Sequence, residues 1–439
     1  MRNAKVAELN LLDEGFVDID SPREPWSIQL EVRASGKLDR ARLEDALRSA
    51  VATHPMARAS LRRRGLAEWR RAWEIPPELD DLPLKVVEAS SPKKLAEART
   101  AAFSYCPSLD APPPFVLTLV RYPKGDYLLL NAHHAATDGL GTLRLMTSVI
   151  RNYAGEPDPV PEVDPLAVRD LAALAGSASV KERIQRSIAL LEILGAAATP
   201  PARIESQTDD ASAPGYGFVT IQLDADESAK VARRRKKPGT VNDVLLAAWA
   251  RTISLWNDER GAGGGRVTIM MPVNLRPEAW WHEIIANFSS YASVSLPPEA
   301  QDEFADALTA VTAQTQKLKK AGTAGLLIDL LELRNLVPPL LRAQMAALLP
   351  MTGTRIFDTT MLSNLGRLPE VAGFGTAGGA VREIWFSPPA PMPLGLTVGA
   401  ASMGDRMFLT LRHRYALLNS AAAAEFGALF RAVLTGKSK

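Results

Sequence analysis

The chain has 439 residues, 46% hydrophobic and 23% charged, which are the proportions of a folded protein large enough for two cores rather than one. Its 51 basic and 49 acidic residues leave a net charge of +2, which gives no case for a nucleic-acid partner. The single cysteine, Cys106, excludes an internal disulfide framework and a cysteine-based zinc site, and reads as a small buried hydrophobe.

The first residues are not followed by an apolar run of signal-peptide length. Residues 27–33 alternate Ile28, Leu30 and Val32 with polar neighbours, the period of a half-buried strand. Asp39 then offers an N-cap, and Leu43, Ala46, Leu47, Ala50 and Val51 fall on one helical face that Pro55 ends. A strand at Phe115–Arg121 turns at 122–126 and returns over 127–131 toward His133 and His134. A helical period resumes from Leu140.

Residues 155–161 place proline at every second position, a stiff extended segment, and a helix is expected over 180–197. Beyond a polar run ending at Gly215, strands are expected at 218–223, 267–271, 288–296 and 407–414, with helices at 241–256 and 302–319 and a closing helix carrying Phe426, Leu429, Phe430, Val433 and Leu434. The apolar stretch 326–349 is broken by Asp329, Glu332, Arg334, Pro338, Pro339 and Arg342, so it reads as core or channel wall and not as a membrane span. The cytoplasm is the expected location. The fold class is α/β or α+β, in an N-terminal lobe over 1–160, a connecting segment with one helix over 161–215, and a C-terminal lobe over 216–439. The basic runs 62–64 and 233–237 read as solvated faces, and the glycine-rich stretch 261–265 as a surface loop.

The most informative stretch is 131–140, NAHHAATDGL. Adjacent histidines at a strand end allow a metal site, a buried structural pair or a proton-transfer site. The other histidines, His54, His282 and His413, have no metal-ligand spacing, so no metal is expected. The nearby Asp138-Gly139 turn and a later arginine-bearing motif favour proton transfer, which imidazole performs near neutral pH.

His133-His134 followed by Asp138-Gly139 resembles the HHxxxDG motif of an acyltransferase superfamily that includes nonribosomal peptide condensation domains, wax ester synthases and polyketide-associated alcohol acyltransferases, with chloramphenicol acetyltransferase as a distant relative. Residues 271–277, MPVNLRP, with Asn287 eleven residues after Arg276, resemble the family's "PVNLR…N" block, and 362–369, LSNLGRLP, its "SNLG" block. The three motifs span most of the chain in the family's order.

The resemblance implies two chloramphenicol-acetyltransferase-like lobes, a pseudo-dimer with a central channel. His134 would be the general base, His133 a brace for its loop, Gly139 part of the turn, and Asp138 the structural partner of Arg276. Ser363, Asn364 and Asn287 are candidate oxyanion or substrate contacts. The implied reaction moves an acyl group from coenzyme A or a carrier-bound phosphopantetheinyl thioester to a hydroxyl or amine, with no tightly bound cofactor and no acyl-enzyme. The chain would act as a monomer, with an acyl or peptidyl carrier protein as a candidate partner. The alternatives are a cyclising or epimerising variant and a non-catalytic recruitment domain.

Overall fold

The computed structural model describes residues 4–63, 69–179, 181–186, 188, 199–334, 358–369 and 373–437. In chain order the first elements are β1 (Lys5–Glu8), α1 (Leu11–Ile19), β2 (Ser27–Ala34), α2 (Arg40–Thr53), β3 (Ser60–Leu61), β4 (Ala72–Ile75), β5 (Leu84–Glu88), α3 (Pro92–Phe103), β6 (Phe115–Arg121), β7 (Tyr127–His133), α4 (Gly139–Ala154) and α5 (Leu171–Ala175). Then come β8 (Tyr216–Leu223), α6 (Ala225–Arg233), α7 (Val241–Asp258), β9 (Val267–Asn274), β10 (Ser289–Leu296), α8 (Phe304–Ala321) and α9 (Leu326–Arg334). The chain closes with β11 (Thr360–Arg367), β12 (Val381–Ser387), β13 (Leu396–Met403), β14 (Arg406–Arg414) and α10 (Ser420–Thr435). No helix among the described residues is long and apolar enough to cross a membrane.

The described chain divides into two compact units. The first comprises Met1–Leu174, Leu275–Ser289 and Arg367–Pro389, and the second comprises Ala175–Asn274, Ser290–Gly366 and Ala390–Lys439. This division departs from the lobes expected at 1–160 and 216–439. Two pieces of the expected C-terminal lobe belong with the first unit, and the physical ties are specific. Strand β12 pairs antiparallel with β2, with Trp385 opposite Glu31, and the 275–289 piece carries a guanidinium bonded to Asp138.

In the first unit, a five-stranded sheet runs β12-β2-β7-β6-β5, beside a three-stranded sheet β1-β4-β3. Helix α2 forms as expected. Asp39 caps it by accepting from the Arg42 N–H at 2.8 Å, and Leu43, Ala46, Leu47, Ala50 and Val51 are its buried face. The proline-punctuated segment is pinned by Asp158, whose carboxylate accepts from Ser148 and, at 2.6 Å, from Arg144 on α4. Arg144 also meets Glu283 at 3.0 Å, which ties the 275–289 piece to α4.

In the second unit, a six-stranded sheet runs β10-β9-β11-β13-β14-β8. Helix α7 carries the 3.6 period read from the sequence, and Val244, Leu245, Ala248, Trp249, Ile253 and Trp256 are buried on it against Phe426 and Phe430 of α10. Burying each such large side chain stabilises the fold by roughly 1.5–3 kcal/mol. Of the helix expected over 180–197, residues 181–186 are helical and most of the remainder lies outside the described residues. The apolar stretch 326–349 begins as α9, and 335–349 also lie outside them.

Candidate active site

Strand β7 ends at His133, opposite Ser27 of β2, and this register sets Trp26 beside the turn that follows. The Trp26 carbonyl accepts from the His134 N–H at 2.9 Å, which holds the residue after the strand in place. His133 is buried. Its Nδ1 accepts from the Ala135 N–H at 3.0 Å, so its hydrogen sits on Nε2, 3.6 Å from the Asp20 carboxylate. Burial pushes the Asp20 carboxyl up, but His133 and the Trp26 N–H more than offset this and hold it below the usual carboxylate range.

Cys106 is half-buried and not fully enclosed, and its Sγ donates to the Trp26 carbonyl at 3.4 Å. Asp20, Cys106 and His133 form the one grouping among the described residues whose donor atoms, all within 4.8 Å of one another, are close enough for a metal ion. The tautomer of His133 argues against that use. With Nδ1 already accepting a backbone hydrogen, Nε2 presents a proton to the cluster and not a lone pair.

His134 itself is buried, and its ring lies flat against the ring of Phe16 on α1, with centroids 3.8 Å apart and planes inclined by 13°. Burial disfavours the imidazolium strongly enough to push the His134 pKa down to about 4, although Asp138 and the backbone carbonyls of His134 and Thr137 pull the other way. The ring is therefore neutral at physiological pH, with one of its two nitrogens unprotonated.

Asp138 anchors the turn. It is the N-cap of α4, accepting from the Gly141 N–H at 2.9 Å, and it accepts from both terminal nitrogens of Arg276 at 2.6 and 2.8 Å. The Phe288 N–H and the Ser289 hydroxyl complete its shell at 2.9 and 3.3 Å. Burial raises the Asp138 carboxyl, and Arg276 with these donors outweighs it, so the group stays ionised. Arg276 also donates to the Ala286 carbonyl at 2.9 Å and lies over the Phe288 ring.

Gly139 is the first residue of α4, and a steric demand for glycine is visible at Gly141, two residues later. A Cβ on Gly141 would meet the Thr137 hydroxyl and come within 3.2 Å of the Ala286 carbonyl oxygen, so the 275–289 piece can approach only a bare backbone.

Asn287, expected as an oxyanion or substrate contact, is fully buried and donates from Nδ2 to the His134 carbonyl at 3.0 Å. Its own carbonyl accepts from Asn10 at 2.9 Å. Neither Asn10 nor Phe16 was singled out from sequence. The signal present was Asn10 followed three residues later by Asp13, a capping box that starts α1. His133, His134, Asp138, Gly139, Arg276 and Asn287 thus all belong to the first unit. Ser363 and Asn364 lie on β11 in the second, where Asn364 Nδ2 donates to Asn242 at 3.3 Å and its Oδ1 accepts from the Gly366 N–H at 2.8 Å.

A family model described as the condensation domain matches residues 18–346. Uncharacterized proteins from two strains of Mycobacterium tuberculosis are 37% identical over 437 residues, covering 97% of this chain and 98% of theirs. Among solved structures, the SgcC5 protein of Streptomyces globisporus has a TM-score of 0.67 at 16% identity, covering 98% of both chains. The epimerization domain from the third module of tyrocidine synthetase B has a TM-score of 0.64 at 15% identity, covering 99% of this chain and 97% of its own. These likenesses establish the mixed α/β fold of condensation domains.

Proposed function

Because the chain belongs to the condensation-domain family, we propose that it transfers an acyl group from a thioester, carried by coenzyme A or a carrier-bound phosphopantetheine, to a hydroxyl or amine. The observation that carries this reading is His134: a buried, neutral imidazole on a turn held by a fully buried ion pair.

In the reaction, the acceptor's oxygen or nitrogen attacks the thioester carbonyl carbon while its proton passes to the unprotonated ring nitrogen of His134. The tetrahedral oxyanion collapses, the carbon–sulfur bond breaks, and the leaving thiolate takes the proton back. The imidazole ends as it began, and no acyl-enzyme is formed. A depressed pKa makes His134 a weaker base than free imidazole but keeps essentially every molecule in the competent form at neutral pH. Positioning then supplies the remaining advantage. His133, Asp138, Arg276 and Asn287 serve this positioning, through the bonds they make to the turn.

An ester product is favoured by two observations. The "SNLG" block resembles the alcohol acyltransferase branch, and the similar Streptomyces globisporus protein was solved in complex with (R)-(-)-1-(2-naphthyl)-1,2-ethanediol and sucrose, the first of which is a vicinal diol. The test is product formation by mass spectrometry, with acyl-CoA and carrier-loaded acyl donors each offered to panels of alcohols and amines. Ester or amide formed above the enzyme-free rate supports the reading. Turnover absent with every donor, or epimerised or cyclised donor without transfer, would contradict it.

A further inference from the structure

Helix α1 supplies none of the motif residues, yet it covers the ring on which the proposed chemistry depends. Phe16 stacks on His134 face to face, and Trp26 leans in at a tilt, its centroid 5.5 Å from Phe16 and 6.5 Å from His134. A flat contact this close blocks one face of the imidazole and fixes its plane, and with the plane the direction of both nitrogens.

A nine-residue helix is marginal by itself, so α1 must be held by what it bonds to. Asp13, fully buried, accepts from the Trp73 ring N–H at 2.8 Å and from the guanidinium of Arg169. Asn10, its capping partner, donates to the Asn287 carbonyl, and Asn287 donates to the His134 carbonyl. One element therefore grips His134 twice, at the backbone through Asn10 and Asn287 and at the ring through Phe16.

From this arrangement we propose that Phe16 is a positioning residue for His134, setting the plane of the imidazole and keeping water off it. The proposal rests on the reading of His134 as the base. The charged and titratable groups acting on the ring are Asp138, which raises its proton affinity, and His133, which lowers it, with burial outweighing both. The Phe16 ring is part of that burial.

Two measurements on three variants test it. His134 is one of 5 histidines, so its titration can be followed by NMR in histidine-labelled protein, with His134→Gln identifying the signal. Phe16→Ala, which admits water to the ring, should raise the imidazole pKa by about one unit or more toward its ordinary value. Phe16→Leu, which keeps apolar bulk but no flat surface, should keep the pKa low while kcat falls about 10- to 100-fold with little change in KM. Phe16→Tyr, which keeps the ring, should restore most of the rate. A folded Phe16→Ala protein in which His134 titrates as in wild type, or a Phe16→Leu enzyme with wild-type kcat, would overturn the proposal. If Phe16→Ala does not fold, the Leu variant decides alone. The titration needs no substrate, so it separates this idea from the base assignment, which fails only if His134 variants keep their activity.

Discussion

Asp138 and Arg276 stand 138 residues apart in the chain and meet through two hydrogen bonds of 2.6 and 2.8 Å, both side chains wholly shielded from solvent. Neither charge has water to return to if the other is removed. Breaking a buried pair by deleting one partner typically costs about 3–5 kcal/mol, so Asp138→Ala and Arg276→Ala should each lower Tm markedly. A double-mutant cycle by thermal or urea unfolding checks the pairing: strong coupling is expected, and additive losses would contradict it.

Gly141 should tolerate alanine poorly. The added methyl group meets the Thr137 hydroxyl and the Ala286 backbone, so either α4 or the 275–289 piece must shift. Overpacking of this kind costs about 1–3 kcal/mol. Gly141→Ala is expected to lose stability by that amount, and to lose activity with it. Calorimetry with a matched rate measurement checks both.

The pH dependence has a definite sign. The folded-state pKa of His134 is pushed down to about 4, below the ordinary 6.5, so the unfolded chain binds the proton more readily. The stability tied to the neutral ring is fully present above pH 6.5 and is lost as pH falls toward 4. Replacing His134 with Gln should flatten the fall in Tm over that window. For catalysis, kcat/KM should stay level from neutrality down to about pH 5, and an acid limb near the ordinary histidine pKa would contradict the burial argument.

Direct transfer without a covalent intermediate makes a further prediction. Cys106, the one cysteine, holds its Sγ 3.4 Å from the Trp26 carbonyl and within 4.8 Å of the Asp20 carboxylate, oxygen-lined surroundings and not the cationic ones that activate a thiol nucleophile. Enzyme mixed with thioester donor alone should keep its intact mass. A stable gain of one acyl group, lost on adding acceptor, would overturn the direct route.

Much of this was legible in the sequence because the signals were local. The alternation of Ile28, Leu30 and Val32 marked β2, although its other face, with Ser27, Gln29 and Glu31, is buried as well and not half-exposed; Asp39 and its apolar stripe marked α2, and the strand Phe115–Arg121 has the bounds read from residue types. The Asp138–Arg276 pair came from the family resemblance, not from spacing. What escaped was long-range. Nothing near residues 381–387 announces that they pair with β2, and chain order alone puts 275–289 with the C-terminal lobe until the bond to Asp138 is seen. Helix α1 is short and has no long apolar period, and its use depends on Phe16 meeting a ring more than a hundred positions away. The role of Asn287 was hidden for the same reason, since its partner is a backbone carbonyl that no side-chain pattern reveals.

The central claim, that His134 carries the proton, is tested most directly by His134→Ala assayed with whichever donor and acceptor the wild-type enzyme converts. Circular dichroism and Tm should show the variant folded. Loss of a general base costs about 10²- to 10⁴-fold in rate, and a fall in kcat of that size is the expected result. A folded His134→Ala enzyme turning over at close to the wild-type kcat would contradict it.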